Sequence, residues 1–443
     1  KRMDLLDGIS NKALEYFTNQ VEEPSSLFNF SSKQAEFKSR FQYAQTLEAM
    51  GEVAYSRGKT IEAFTAFENA RTRLEALLKI QPNNLELLTL AGANAFWLGQ
   101  LHYDKSDYAA TEPLFKKYHA YSEKMYSLAP NDFNAIMELS YSHNSLGSLY
   151  TEKFDYTAAK QRFTKSLALK NKALELKPNN KNLLRDKADT ISWLAKTEES
   201  LGNFNAALSI YKDASDELNN MLVSYPIDAG LFKSIANIYI QQSYLLSYLP
   251  NKRDAYEKAQ LATETIDKAR LQDPKSKYFQ RAYYRFLAHQ LVLSDNKNVD
   301  KRITNIIKFL KAQGFKNSFA INTQISLIHY FSDRELRSKA EKLLAELEDS
   351  EDYKQQIANQ MQTGNNIIHT RVNLLKAKLA FNNEKLSEFC LSAVNAIAAT
   401  TKTSLSIQIS YPIVQAYTCL NRANEISNTK ARLVKLGINN FQL

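Results

Sequence analysis

Gly51 and the later Gly58-Lys59-Thr60 have the residue types of a phosphate-binding loop, in which consecutive backbone N–H groups curl around phosphate oxygens and a lysine neutralises them. That chemistry needs four residues between the glycines; here six intervene, and the loop would have to lie inside a helix. Both glycines have structural uses instead, one at a helix crossing and one in a turn. The six histidines, His102, His119, His143, His289, His329 and His369, never stand at metal-ligand spacing, and no His-Glu-x-x-His occurs. His143 adjoins Asn144 and is read as a structural histidine. No Gly-x-Ser-x-Gly elbow presents a nucleophile. The chain is therefore expected to be no enzyme, with no catalytic residue, metal or cofactor.

Charge suggests a second chemistry. Lys and Arg total 57 against 47 for Asp and Glu, a formal net charge of +10. Between residues 153 and 187 stand ten basic side chains and only Asp155, Glu175 and Asp186. Lys160, Lys165, Lys172 and Lys177 form a patch suited to an anionic partner, whether nucleic acid or an anionic membrane surface. Tyr156 and Phe163 fill structural positions, so platforms on which bases could stack are lacking, and a solvated convex face is the preferred interpretation. Nucleic acid is disfavoured as a partner. Cys390 and Cys419 are too few for a disulfide framework and are expected to be buried free thiols. No run of about 18 apolar residues is present, so no membrane span is expected. Neither oligomeric state nor compartment is legible here; the cytoplasm is favoured, and the periplasm would require a span upstream of Lys1.

The elements behind these residues follow a ruler. Pro82, Pro130, Pro178, Pro226 and Pro274 stand 48 residues apart, and these are five of only nine prolines. Gly51, Gly99, Gly147, Ala195 and Ser243 keep the same step as a small-residue column, and Phe67, Phe115, Phe163 and Tyr211 as an aromatic one. Apolar residues recur every three to four positions between the columns, so each repeat reads as two amphipathic helices joined by a short turn. Small residues let the paired helices approach, the ring is expected to fill the gap to the next repeat, and proline ends the second helix.

At Leu146, Gly147, Tyr150, Tyr156, Ala159 and Phe163 the chain resembles the tetratricopeptide-repeat family, whose pattern has Leu-Gly-x-x-Tyr in one helix and an aromatic, Ala and Phe in the next. The family period is about 34 residues against 48 here, so the hairpins are expected to be longer by about two helical turns at each end. The resemblance implies an all-α, right-handed superhelical solenoid of antiparallel helix pairs that binds a protein or peptide. The segment from Arg2 to Phe17 looks like one that precedes repeat arrays in large bacterial signalling proteins. It implies an upstream kinase, winged-helix or nucleotide-binding module.

The expected organisation is an N-terminal helix (residues 3–20) and linker over 1–36, five regular hairpins over 37–274, and irregular hairpins over 275–443, including one long helix over 352–382 that Gly364 would break. In the family the first helix of each hairpin lines the concave face. Carried over residue by residue, the contact positions include Tyr55, Phe96, Gln100, Tyr103, Tyr141, Asn144 and Ser148, an aromatic groove suited to a peptide. The fourth hairpin contributes Asp189, Ser192, Lys196 and Glu199. Only Asn144 and Lys196 match a carboxylate clamp, so capture of a chaperone C-terminus is disfavoured.

Overall fold

A computed structural model describes residues 30–443 apart from 179, 251, 295–299, 314–317, 364–365, 381–382, 398–405, 440 and 442–443. The expected helix over 3–20, and Gly364, lie outside the described residues. Among those described there is no strand, and no helix is long and apolar enough to cross a membrane. The chain divides into two compact units, residues 1–183 and 184–443.

The first unit contains α1 (Phe30–Ser56), α2 (Thr60–Ile80), α3 (Leu85–Tyr103), α4 (Tyr108–Leu128), α5 (Phe133–Glu152) and α6 (Tyr156–Leu176). Consecutive helices pack as antiparallel pairs, and the first helices of neighbouring pairs, α1 with α3 and α3 with α5, also touch. The turns show why the pairs form. Gly58, Ser106 and Phe154 each take a left-handed conformation with φ near +60° to +72°. This lets the next N–H reach back to a carbonyl of the last turn: Lys59 to Ala54, Asp107 to His102 and Asp155 to Tyr150, at 2.9, 3.0 and 2.8 Å. Asp107 and Asp155 then cap the second helix by accepting from Ala110 and Ala158. The second helices α2, α4 and α6 each hold 21 residues. Each ends two residues before a proline, because the residue preceding proline is pushed out of helical geometry.

The small column lies, as expected, where the paired helices of each hairpin approach. A Cβ on Gly99 or Gly147 would come within 2.6 Å of the ring of Phe115 or Phe163, and one on Gly51 would collide with Phe67. Each ring belongs to the same hairpin as its glycine. The ring therefore fills the hairpin's own crossing and also the expected gap to the next repeat, where Phe67 meets Leu98, Leu101 and Trp97, and Phe115 meets Leu146 and Leu149. Phe67, Phe115 and Phe163 are 0–2% exposed.

The second unit holds most of α7 (Lys181–Ser200), followed by α8 (Phe204–Ser224), α9 (Ala229–Leu246), α10 (Lys252–Gln272), α11 (Lys277–Leu293), α12 (Asp300–Gln313), α13 (Ser318–Ser332) and α14 (Arg337–Glu348). Then come α15 (Glu351–Thr363), α16 (Ile367–Lys378), α17 (Asn383–Ile397), α18 (Ile407–Cys419), a 3₁₀ turn (Ala423–Ile426) and α19 (Ser427–Lys435). Two helices, α15 and α16, occupy the span 352–382, one ending at Thr363 and the other starting at Ile367, so the span is divided as expected. Gly437, just after the last helix, takes a left-handed φ of +83°, which glycine adopts without a Cβ penalty.

Cys390 in α17 and Cys419 at the end of α18 are joined by a disulfide across a separation of 29 residues. This corrects the expectation of free thiols. Cys390 is buried and Cys419 half-buried, and the α17–α18 packing brings the two Cα atoms to 6.3 Å, within bridging range.

Two outcomes follow from these contacts. Gly147→Leu should overpack the Phe163 contact and cost about 1–3 kcal/mol, read as a lower thermal transition; an unchanged melt would refute the crossing. Closing a loop of this length restricts the unfolded chain by about 3–4 kcal/mol, so adding dithiothreitol should move the urea midpoint down, and a Cys390→Ser, Cys419→Ser variant should show no such response.

Candidate functional site: the inner helix faces

In the first unit, α1, α3 and α5 supply the expected positions. Tyr55 is half-buried; its hydroxyl donates to Asp104 Oδ2 at 2.7 Å, and its ring lies 5.0 Å from Trp97. Gln100 Nε2 donates to Asp104 Oδ1 at 2.6 Å, so Asp104 ties the end of α3 to α1. Burial first, and then the bond to Asp104, push the Tyr55 phenol up to about 12. Burial raises Tyr103 as well. Both hydroxyls therefore stay protonated and able to donate.

Phe96 is less available. It packs edge-on to Trp97 at 5.1 Å and Tyr118 at 5.8 Å and stacks with Phe115 at 6.0 Å. Tyr103 lies 5.7 Å from Tyr108. Tyr141 is the open ring of this set, 37% exposed, with Lys170 Nζ 4.9 Å from its centroid. Ser148 is half-buried, whereas Asn144 is only 9% exposed and offers little surface. Trp97 joins Tyr55 to Phe96 and was not among the expected residues. It had a sequence signal: the chain's two tryptophans, Trp97 and Trp193, occupy the same position two repeats apart.

Several expected patch residues are engaged within the first unit. Lys153 bridges to Glu112. Lys172 Nζ donates to the Tyr126 hydroxyl at 3.0 Å and the Pro130 carbonyl at 2.7 Å. Lys177 Nζ lies 3.7 Å over the Phe133 ring, and Lys170 is buried. Lys165 is exposed, and Lys160 is half-buried. Arg162 Nη1 donates to His119 Nε2 at 3.1 Å and His143 Nδ1 at 3.3 Å, with the two imidazoles 4.5 Å apart. Burial, followed by the neighbouring His119 and Arg162, pulls His143 down to about 3, and burial likewise lowers His119.

In the second unit, α7 and α9 border a cavity of about 360 Å³ lined by Asp189, Ser192, Trp193, Lys196, Tyr211, Ser234, Asn237 and Gln241. Three of the residues carried over for the fourth hairpin, Asp189, Ser192 and Lys196, are brought together here. Glu199 stands behind them, 1% exposed, accepting from Lys196 Nζ at 2.7 Å and Ser406 Oγ at 2.8 Å. The buried Tyr211 hydroxyl has no hydrogen-bond partner. Trp193 is 43% exposed at the rim.

No protein-family model matches this chain, and no curated protein does. Solved structures do match. A thermophilic TPR protein of Thermus thermophilus is 17% identical over 55% of this chain and 98% of its own, with a TM-score of 0.35. Yeast Tom70 is 13% identical over 98% of this chain and 93% of its own, at 0.38. Human IFIT1, as a dimer with m7Gppp-AAAA, is 15% identical over 98% and 88%, at 0.33. Matches at this level assign no partner and no residue role.

The His143 site predicts an acid response with a definite sign. The unfolded chain takes up a proton near 6.5, the folded one only near 3. The unfolded state thus holds more protons between these values, and stability falls as pH drops through that window, by up to ~1.4 kcal/mol per pH unit for one group. His143→Gln keeps an acceptor for Arg162 and should flatten the fall in denaturant midpoint between pH 6 and 4; an unaltered slope would show that His143 is not the group responsible.

Proposed function

We propose that this chain is a helical-repeat binding scaffold that holds an extended or helical polypeptide against the inner helices of its first three hairpins. The observation that carries the proposal is Tyr141, a ring left 37% exposed above Lys170 on the same face as Tyr55, Phe96, Gln100, Tyr103 and Ser148. A packing column needs its rings covered; a partly open aromatic wall favours a ligand that covers it. Tyr103 supplies a hydroxyl donor, Tyr55, whose proton goes to Asp104, supplies its ring and an acceptor oxygen, and Tyr141 supplies the anchor.

The proposal includes the extended tetratricopeptide repeat of 48 residues, regular over 37–274 and irregular over 275–443. It also includes a place in a larger bacterial signalling protein, where the scaffold would serve an upstream kinase, winged-helix or nucleotide-binding module rather than catalyse. The competing use, an anionic partner on Lys160, Lys165, Lys172 and Lys177, is weaker because Lys172 and Lys177 are engaged with neighbouring groups.

With a partner captured by pull-down, Tyr141→Ala should weaken binding by about thirtyfold, the effect of losing about 2 kcal/mol, while the melt stays in place. Phe96→Ala is a poorer probe because that ring also packs between helices. Normal binding by Tyr141→Ala together with loss of binding by Lys165→Glu would move the site to the basic face.

A further inference from the structure

The fourth hairpin builds a different inner wall from the first three. The register positions of Phe96 and Tyr141 are taken by Ser192 and Asp189 in α7, and both residues line the cavity of about 360 Å³ that α7 and α9 border. Polar groups thus replace rings on the wall. The volume is at the small end of the roughly 300–1,000 Å³ typical of ligand sites, which suits a small molecule rather than an extended polypeptide. Trp193 also lines the cavity and is 43% exposed, so part of its indole is open to a ligand.

The aromatic column supplies a second, independent sign. Phe67, Phe115 and Phe163 fill their crossings with a plain ring, whereas the fourth position is Tyr211, 1% exposed and part of the cavity wall. Packing needs only the ring. The hydroxyl has no hydrogen-bond partner among the described residues, and a buried hydroxyl left so is costly. Burial, and then the charge of Glu199, raise the phenol, so it keeps its proton and can donate. The walls also limit the charge of what fits. Lys196 Nζ pairs with Glu199 Oε2 at 2.7 Å, and Ser406 Oγ donates to the other Glu199 oxygen at 2.8 Å. An anion would meet the Asp189 carboxylate and a cation would meet Lys196, so a neutral ligand is favoured.

We propose that this cavity takes a neutral sugar ring, free or as the end residue of a glycan. A sugar hydroxyl both donates and accepts, which matches walls that mix the two: the Asp189 carboxylate accepts, Lys196 donates, and Ser192, Asn237 and Gln241 can do either. Asn237 is already oriented, because its Nδ2 donates to the Tyr278 hydroxyl at 3.2 Å. The C–H face of a pyranose is apolar and would lie on the indole of Trp193, an apolar body with a polar N–H at its edge. The Tyr211 hydroxyl adds a donor from the wall. The site is independent of the polypeptide wall of the first unit.

The test is calorimetric titration of the full chain with D-glucose, D-galactose, D-mannose and N-acetyl-D-glucosamine, against open-chain sorbitol, L-arginine and inorganic phosphate. Saturable binding of at least one sugar that the controls do not reproduce, weakened about tenfold or more in Trp193→Ala and several-fold in Tyr211→Phe, would support the site. Tyr211→Phe keeps the packing ring, so its melt should be no lower than that of the parent chain. The methyl glycoside of the bound sugar, binding as tightly, would identify a glycan end residue as the occupant, and its failure to bind would identify the free sugar. Should Trp193→Ala fail to fold, as judged by circular dichroism, Tyr211→Phe must still weaken binding. No saturable binding of any sugar, binding of a control in their place, or sugar binding that either folded variant leaves intact, overturns the proposal.

Discussion

Each hairpin of the first unit depends on the contact between a glycine of its first helix and a ring of its second. With no Cβ at Gly51, Gly99 or Gly147, the rings of Phe67, Phe115 and Phe163 lie against bare backbone. A buried ring of this size contributes about 1.5–3 kcal/mol by leaving water, and its fixed seat sets the rotation of the helix it touches. Leu146 and Leu149, beside Gly147, are then fully buried while Ser148 is left half-exposed. Which residues of the first helix stay accessible thus follows from where the ring sits. In the second unit Tyr211 holds the column position opposite Ala195, and both are buried.

Neighbouring hairpins are joined by polar contacts that no column announces. Asn94 Nδ2 donates to Glu48 at 2.8 Å and to the Phe67 carbonyl at 2.9 Å, which ties α3 to α1 and α2. Burial pushes the Glu48 carboxyl up to about 8, so it is a neutral acid at pH 7 and serves as a buried latch. Arg162 plays a comparable part by binding two imidazoles that burial keeps uncharged. These contacts cost desolvation, which the hydrogen bonds of Asn94, Glu48 Oε2 and the two imidazoles offset, while the buried Glu48 Oε1 has no hydrogen-bond partner among the described residues.

Much of the fold was legible because repetition makes packing visible. Helix ends, turns and the small and aromatic columns all recur, and prolines mark where second helices stop. The groove was only partly legible. Position alone placed Tyr55, Gln100 and Tyr141 on the inner helices, but it could not show that Asn144 is nearly covered or that Phe96 is wedged among three rings, because both depend on neighbours distant in sequence. The disulfide was hidden for the same reason: Cys390 and Cys419 are paired by helix packing, not by any spacing motif. The basic run misled in another way, since charge density along the chain does not reveal which lysines the folded unit engages in hydrogen bonds, ion pairs or ring contacts.

A repeat protein therefore carries two kinds of information in one register. Residues that keep the step report packing, since the same crossing must be built in each hairpin. Residues that change at a fixed position are free of that demand. Position 97 and its equivalents read Ala49, Trp97, Ser145, Trp193 and Gln241: Trp97 stands in a ring cluster, whereas Trp193 and Gln241 line a polar cavity. Because a common backbone holds both, the difference between Trp97 amid aromatic rings and Trp193 beside Asp189, Ser192 and Asn237 is one of chemistry rather than architecture. Under the proposed scaffold function, the variable positions are therefore where selectivity would reside.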